Sequence, residues 1–249
     1  MTVLGEFVLP HDGSAWTQTI VAALDELGVR DKAARQALAR TEDRGWLTRE
    51  RVGRRTRWHL TPAAVDLLTT GAERIYGFGQ QQSWDGRWVL LMASVPERDR
   101  AARYRMNREL SWAGFGALGQ GTWISPWVER ESAVASLIRS LELHATTFVA
   151  EVGQLGSGEA LARQAWDLPE LRAAYDRFLS TELPEHPVAG LAMLVHEWRR
   201  FPFVDPGLPA EVLPADWPAA EAAARFAQVR AELREPARQW WVAAEAASS

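Results

Sequence analysis

The spacing of apolar residues changes three times within the first sixty or so positions. Residues 2–9 form a short apolar stretch, predicted helical and stopped by Pro10. Ser14 is placed to cap a second helix, in which Trp16, Ile20, Leu24 and Leu27 recur at helical spacing before Gly28. Asp31 is placed to cap a third helix running to about Arg44, with Ala34, Leu38 and Thr41 inward and Gly45 at its end. From Trp46 the period shortens toward two. Trp46–Val52 and Arg55–Leu60 are predicted strands joined at Gly53-Arg54. Trp58 and Leu60 share one face of the second strand, with Arg55, Arg57 and His59 on the other. Thr61-Pro62, a capping residue followed by proline at the first helical position, opens another helix through Leu67 and Leu68.

Beyond about Gln80 the pattern is different. Trp88–Val95 is continuously apolar, as a buried strand is. Arg100–Ala113 is predicted helical with Tyr104 and Leu110 inward, and Gly119–Val128 a strand region interrupted by Pro126. Glu131–Leu143 is a helix with Val134, Leu137, Ile138 and Leu141 on one stripe, and Ala145–Val152 a strand. That order predicts an α+β sandwich of ferredoxin-like type. The Gly-rich segment 153–158 marks a boundary. Helices are predicted over 159–179 and 188–200, followed by a proline-studded connection and an Ala-rich helix from Ala219 to about Trp241. No internal repeat is present. The expected architecture is α+β in three domains: a winged helix-turn-helix at 1–79, a ferredoxin-like middle at 80–155 and a helical part at 156–249.

Composition narrows the class. With 47% hydrophobic and 24% charged residues in 249, the chain is of ordinary globular make-up. It has no cysteine, which removes disulfides, thiolate metal sites and Cys nucleophiles. The longest apolar run, Trp88–Ala93, is far below the ~18 residues of a membrane span. No basic residue precedes Arg30, so no signal-peptide n-region is visible. The expectation is a soluble cytoplasmic protein with no membrane partner.

The net charge of −4 is unevenly spread. Residues 30–60 carry ten basic and four acidic side chains, +6, which leaves −10 on the rest. A basic segment on an acidic body is a footprint for nucleic acid. All but one of the cations are arginine, Lys32 being the sole lysine. In a winged helix the helix after the turn enters the major groove. Lys32, Arg35, Gln36 and Arg40 fall on its outward face, so Arg35, Gln36 and Arg40 are candidate base readers. Arg49, Arg51, Arg54, Arg55 and Arg57, on or beside the wing, are candidate phosphate contacts. The expected partner is double-stranded DNA.

Other motifs carry less. Gly114-Phe-Gly-Ala-Leu-Gly119 matches GxGxxG, but it follows a helix and precedes a strand, the reverse of a dinucleotide site, so its glycines serve a turn. His196-Glu197 fails HExxH because position 200 is Arg, and there is no GxSxG. No catalytic set, metal or cofactor is expected.

Two blocks of sequence are more specific. One combines Lys32–Arg40, Gly45-Trp-Leu47 and Val52–Thr61. The other is His196-Glu-Trp-Arg-Arg-Phe-Pro-Phe-Val-Asp-Pro-Gly-Leu-Pro209 with Asp216-Trp-Pro218. In both the chain resembles the PaaX-like family of bacterial transcriptional repressors, over essentially its whole length. The resemblance implies a winged-helix DNA-binding domain, a middle domain similar to Cas2 nucleases, and a helical C-terminal domain. It further implies homodimers that bind palindromic operators of aromatic-catabolism genes and release them on binding an aryl-CoA thioester, typically phenylacetyl-CoA. Such an effector needs an apolar slot and cations for its phosphates. Trp123 and Trp127, with Arg103, Arg105, Arg199 or Arg200, are the candidate partners, although core packing is the commoner role for any single tryptophan. Two departures stand out. Family members carry extra residues before the segment matching Thr2–Val8, so the first helix is short here or the start is misassigned. The middle strand ends Met92-Ala-Ser-Val-Pro96 without the aspartate of metal-dependent Cas2 nucleases. The alternatives are an enzyme acting on CoA thioesters or nucleic acid, and a regulator of the same family with a different acyl-CoA or aromatic effector.

Overall fold

The computed structural model describes residues 1–79, 83–95 and 99–249, so the expected boundary at Gln80 and the strand end at Pro96 lie outside the described residues. After a π-helical segment, Leu4–Val8, the chain forms β1 (Ser14–Trp16), α1 (Thr17–Asp25), α2 (Asp31–Asp43), β2 (Leu47–Val52), β3 (Arg55–Leu60) and α3 (Pro62–Gly77). Next come β4 (Arg87–Ser94), α4 (Arg100–Trp112), β5 (Gly116–Gly119), β6 (Thr122–Ser125), α5 (Glu131–Ser140) and β7 (His144–Glu151). The remainder is helical: α6 (Gly158–Ala165), α7 (Leu168–Ser180), α8 (Pro187–Trp198), α9 (Phe201–Val204) and α10 (Ala219–Ser248). These elements gather into two compact units that are discontinuous in sequence. One holds Met1–Phe78, Phe178–Arg200 and Glu221–Ser249; the other holds Gly79–Arg177 and Phe201–Ala220.

In the first unit a three-stranded antiparallel sheet has the order β1-β3-β2. Ser14 lies in a strand rather than capping a helix, and its Oγ accepts from Arg57 Nε at 3.1 Å. Pairing with β3 holds the chain extended through Trp16, and α1 begins only at Thr17. Asp31 likewise opens α2 without capping it. Thr61 does cap: its Oγ1 accepts from Ala64 N–H at 3.2 Å and donates to Gly45 C=O at 2.8 Å, with proline at the first position of α3. Ala15, Ile20, Ala34, Leu38, Leu47, Trp58 and Ala64 are buried. Helices from much later in the chain enlarge this core. Trp241 of α10 stacks on Phe7 at 5.3 Å, and Trp198 of α8 stacks on Phe226 at 4.7 Å while its indole donates to Ile75 C=O at 3.1 Å.

The second unit carries a four-stranded sheet of order β5-β6-β4-β7, every neighbouring pair antiparallel. With α4 and α5 this is the β-α-β-β-α-β plan of ferredoxin-like domains. The strand region expected at Gly119–Val128 is in fact the second arm of a hairpin whose first arm, β5, runs through the GxGxxG glycines. Alternation along β4 divides two apolar clusters. Val89 and Leu91 meet Met106, Leu110, Val134 and Ile138, whereas Trp88 meets Ala162, Leu168 and Val212. Tyr104 points outward, 68% exposed, because the buried stripe of α4 is Ala102, Met106 and Leu110. The helix expected over 159–179 breaks at Trp166, where Asp167 Oδ1 accepts from Glu170 N–H at 3.0 Å and starts a new helix just ahead of Pro169. Among the described residues no helix is long and apolar enough to cross a membrane.

Candidate nucleic-acid interface

Burial of Ala34 and Leu38 fixes the rotation of α2, and this turns Lys32, Arg35, Gln36 and Arg40 outward, all exposed. Arg35 is not loose. Its Nε and Nη2 donate to the two carboxylate oxygens of Asp31, one turn back, at 2.8 and 3.0 Å. That paired hydrogen bond holds the Asp31 carboxyl below the usual carboxylate range and raises the Arg35 guanidinium. A fork held this way is pre-oriented, so less side-chain freedom is lost when it meets an acceptor.

The hairpin places its cations by register. Arg49 stands opposite Trp58 and Arg51 opposite Thr56, on the face whose Trp58 is buried. Arg49 Nε lies 3.2 Å from the Glu42 carboxylate of α2, which ties this face to the helix. Arg55 and Arg57 occupy the other face, together with Glu50 and, across β1, Trp16. The guanidinium of Arg57 lies 5.3 Å over the Trp16 ring. Gly53 adopts a positive φ of 62° in the two-residue turn, which leaves Arg54 exposed at the tip. Among the described residues, the side chains of Lys32, Gln36, Arg40, Arg54 and Arg55 have no hydrogen-bond or ion-pair partner, so a polyanion meets them unpaired. Asp31 and Glu42, which hold two of the cations, escaped sequence reasoning as partners. The i,i+4 spacing of Asp31 and Arg35 was the available signal.

The effector candidates are dispersed. Arg103 and Trp123 line one cavity of about 450 Å³, with Met106, Asn107 and the Gly119–Gly121 turn. Arg105 is exposed on the same helix and is not among the lining residues. Trp127 is buried, its indole donating to Gly207 C=O at 2.8 Å. Arg199 and Arg200 belong to the first unit, where Arg199 donates to Thr2 Oγ1 at 3.4 Å and Arg200 pairs with Glu197 at 3.5 Å. Two of the six therefore meet at one cavity. Among the described residues no group of three or more His, Asp and Glu side chains could hold a metal ion.

Three family models match along the chain: PaaX-like protein at residues 1–64, PaaX protein central Cas2-like domain at 81–162, and PaaX-like protein C-terminal domain at 166–243. The chain is 29% identical over 235 residues to the transcriptional repressor PaaX of Escherichia coli (strain K12), which spans 87% of this chain and 73% of that protein. It shares its fold with the uncharacterized protein Rv0674 from Mycobacterium tuberculosis, at a TM-score of 0.68, 24% identity and 96% coverage of both chains. Fold and matches together define an α+β protein built around a central Cas2-like domain and followed by a helical part. The chain belongs to the PaaX-like family.

Proposed function

We propose that this protein is a DNA-binding transcriptional repressor of aromatic-acid catabolism genes, those for phenylacetic acid in the first place. The observation that carries the reading is the row of exposed, unpaired cations on α2 and the β2–β3 turn, in a chain 29% identical to a transcriptional repressor. In this reading α1 and α2 are the helix-turn-helix and β2–β3 the wing, within domains at 1–79, 80–155 and 156–249. Arg35, Gln36 and Arg40 reach base edges in the major groove. Lys32 lies beside them, and Arg49, Arg51, Arg54, Arg55 and Arg57 hold phosphates. A homodimer presents two such surfaces to a palindrome.

An aryl-CoA thioester is the effector in this reading. The cavity beside Arg103 and Trp123 offers a cation next to an apolar wall, as an anionic aromatic ligand requires. Its binding favours a dimer geometry that no longer fits the half-site spacing, a coupling of about 1–3 kcal/mol.

The test is a gel shift on the protein's own upstream promoter, with and without a panel of acyl-CoA esters. A palindromic site is bound, affinity falls steeply with salt, and phenylacetyl-CoA releases it. Binding no tighter than to random DNA at moderate salt overturns the reading. Arg55→Ala weakens all sequences alike, whereas Gln36→Ala relaxes discrimination at particular bases.

A further inference from the structure

The last turn of α10 grips the junction between β1 and α1. Trp16 is the final residue of β1 and the residue from which α1 starts, and α1 has neither a side-chain cap of its own nor an acidic residue in its first turn. The missing acceptor comes from 229 residues further along the chain: Glu245 Oε1 accepts from Trp16 backbone N–H at 2.9 Å. A carboxylate there also faces the positive end of the helix dipole. Two more bonds close the grip. The Trp16 indole donates to Ser249 Oγ at 3.1 Å, and Thr19 Oγ1 donates to Ala244 C=O at 3.4 Å.

The grip falls on the sheet's outer face. Ala15 pairs with Trp58 on the core side, so Trp16 and Arg57 share the opposite side. A small three-stranded sheet leaves such a face to water, yet Trp16 is only 7% exposed. From the next residue, hydrogen bonds run on into the hairpin: Thr17 Oγ1 donates to Thr56 C=O at 3.0 Å and accepts from the Trp58 indole at 2.9 Å.

We propose that Glu245 is a positioning residue for DNA binding. By holding Trp16 it sets the angle between α1 and the β2–β3 hairpin, so the hairpin cations meet the phosphates in register with α2. The inference rests on the wing reading above and adds to it a control element on α10.

The experiment compares the full-length wild type, Glu245→Ala, Glu245→Gln and Arg55→Ala. Each is titrated with a duplex from its own upstream region and with a random duplex, across a range of salt, at a temperature where all are folded. In parallel, hydrogen exchange is followed in the hairpin and the first turn of α1. Glu245→Ala weakens binding about three- to tenfold, the scale of one lost hydrogen bond. It also flattens the salt dependence, as Arg55→Ala does by about one phosphate contact. Glu245→Gln, which keeps an acceptor oxygen, retains most of the affinity, and hairpin amides exchange faster only in the alanine variant. Glu245→Ala with wild-type affinity, salt slope and exchange overturns the proposal, as does a loss of stability with the slope unchanged. If the wild type itself does not prefer its upstream DNA, the regulator reading falls and the DNA role of Glu245 with it. The exchange measurement then decides the grip alone.

Discussion

Gly116→Ala puts one methyl group where the second unit has no room. A Cβ at Gly116 would lie 2.5 Å from Trp166 Cε2 and 2.6 Å from Ala165 Cβ, about 1 Å inside ordinary carbon–carbon contact. Neither neighbour yields easily, since Ala165 closes α6 and its Cβ is fixed by the backbone. The overlap therefore costs about 1–3 kcal/mol, toward the upper end. For a unit of this size that is a drop of about 4–10 °C in melting temperature. Gly71→Ala is the control. In the interior of α3 a Cβ meets nothing within 4 Å, and replacing a helical glycine there stabilises by about 0.5–1 kcal/mol. Calorimetry of the intact chain reads both: the same chemical change lowers one transition and raises the other. A Gly116→Ala protein as stable as the wild type would refute the argument and reopen the GxGxxG segment to a role other than packing.

Tyr175→Phe removes the hydroxyl that donates to Asp205, whose other oxygen accepts from Gly207 N–H at 2.6 Å, and costs about 1–3 kcal/mol. Burial holds the Asp205 carboxyl above the ordinary carboxylate range while the tyrosine hydroxyl pulls it down. The folded state thus keeps this proton longer than the unfolded state, and stability falls as pH rises from the ordinary carboxylate value through the raised folded one. Losing the hydroxyl extends that window upward, so the melting-temperature deficit is smallest in acid and grows toward neutral pH; a pH-independent deficit counts against it. Thr61→Ala loses the cap of α3 and the tie to Gly45, costing about 1 kcal/mol by thermal melting, and Thr61→Ser restores most of it. Asp31→Ala frees Arg35, so titrations find tighter binding to random DNA and a smaller preference for the upstream site.

Where the sequence was legible, the physics was local. The β2–β3 boundaries, the Thr61-Pro62 start of α3 and the outward face of α2 all follow from period, cap and turn chemistry carried within a few residues. Ser14 was misread because its capping propensity competes with pairing to His59, forty-five positions away, and only the second contact pulls the segment straight. The division of the hairpin arginines between two faces needs the register as well as the alternation. Tyr104 was misassigned because an aromatic ring two positions off the buried stripe still looks apolar in a sequence. Of the effector candidates, only Arg103 and Trp123 came together, since arginines and tryptophans are too widespread in this chain for type alone to pick neighbours.

The first unit is assembled from chain segments that the ribosome delivers far apart in time. α1, α2 and the hairpin emerge early, yet Trp241 and Glu245 on α10, and Ser249 just beyond it, reach them only after the entire second unit has been made. At ~5–20 residues per second the wait is on the order of ten to thirty seconds. During that interval the basic surface is already exposed while Phe7 and Trp16 still lack their partners. The nascent chain thus displays its basic segment before the first unit is complete. Completing α10 supplies the last partners of Trp16, so a stalled or clipped product would keep the basic segment without the contacts that Glu245 and Ser249 make to Trp16.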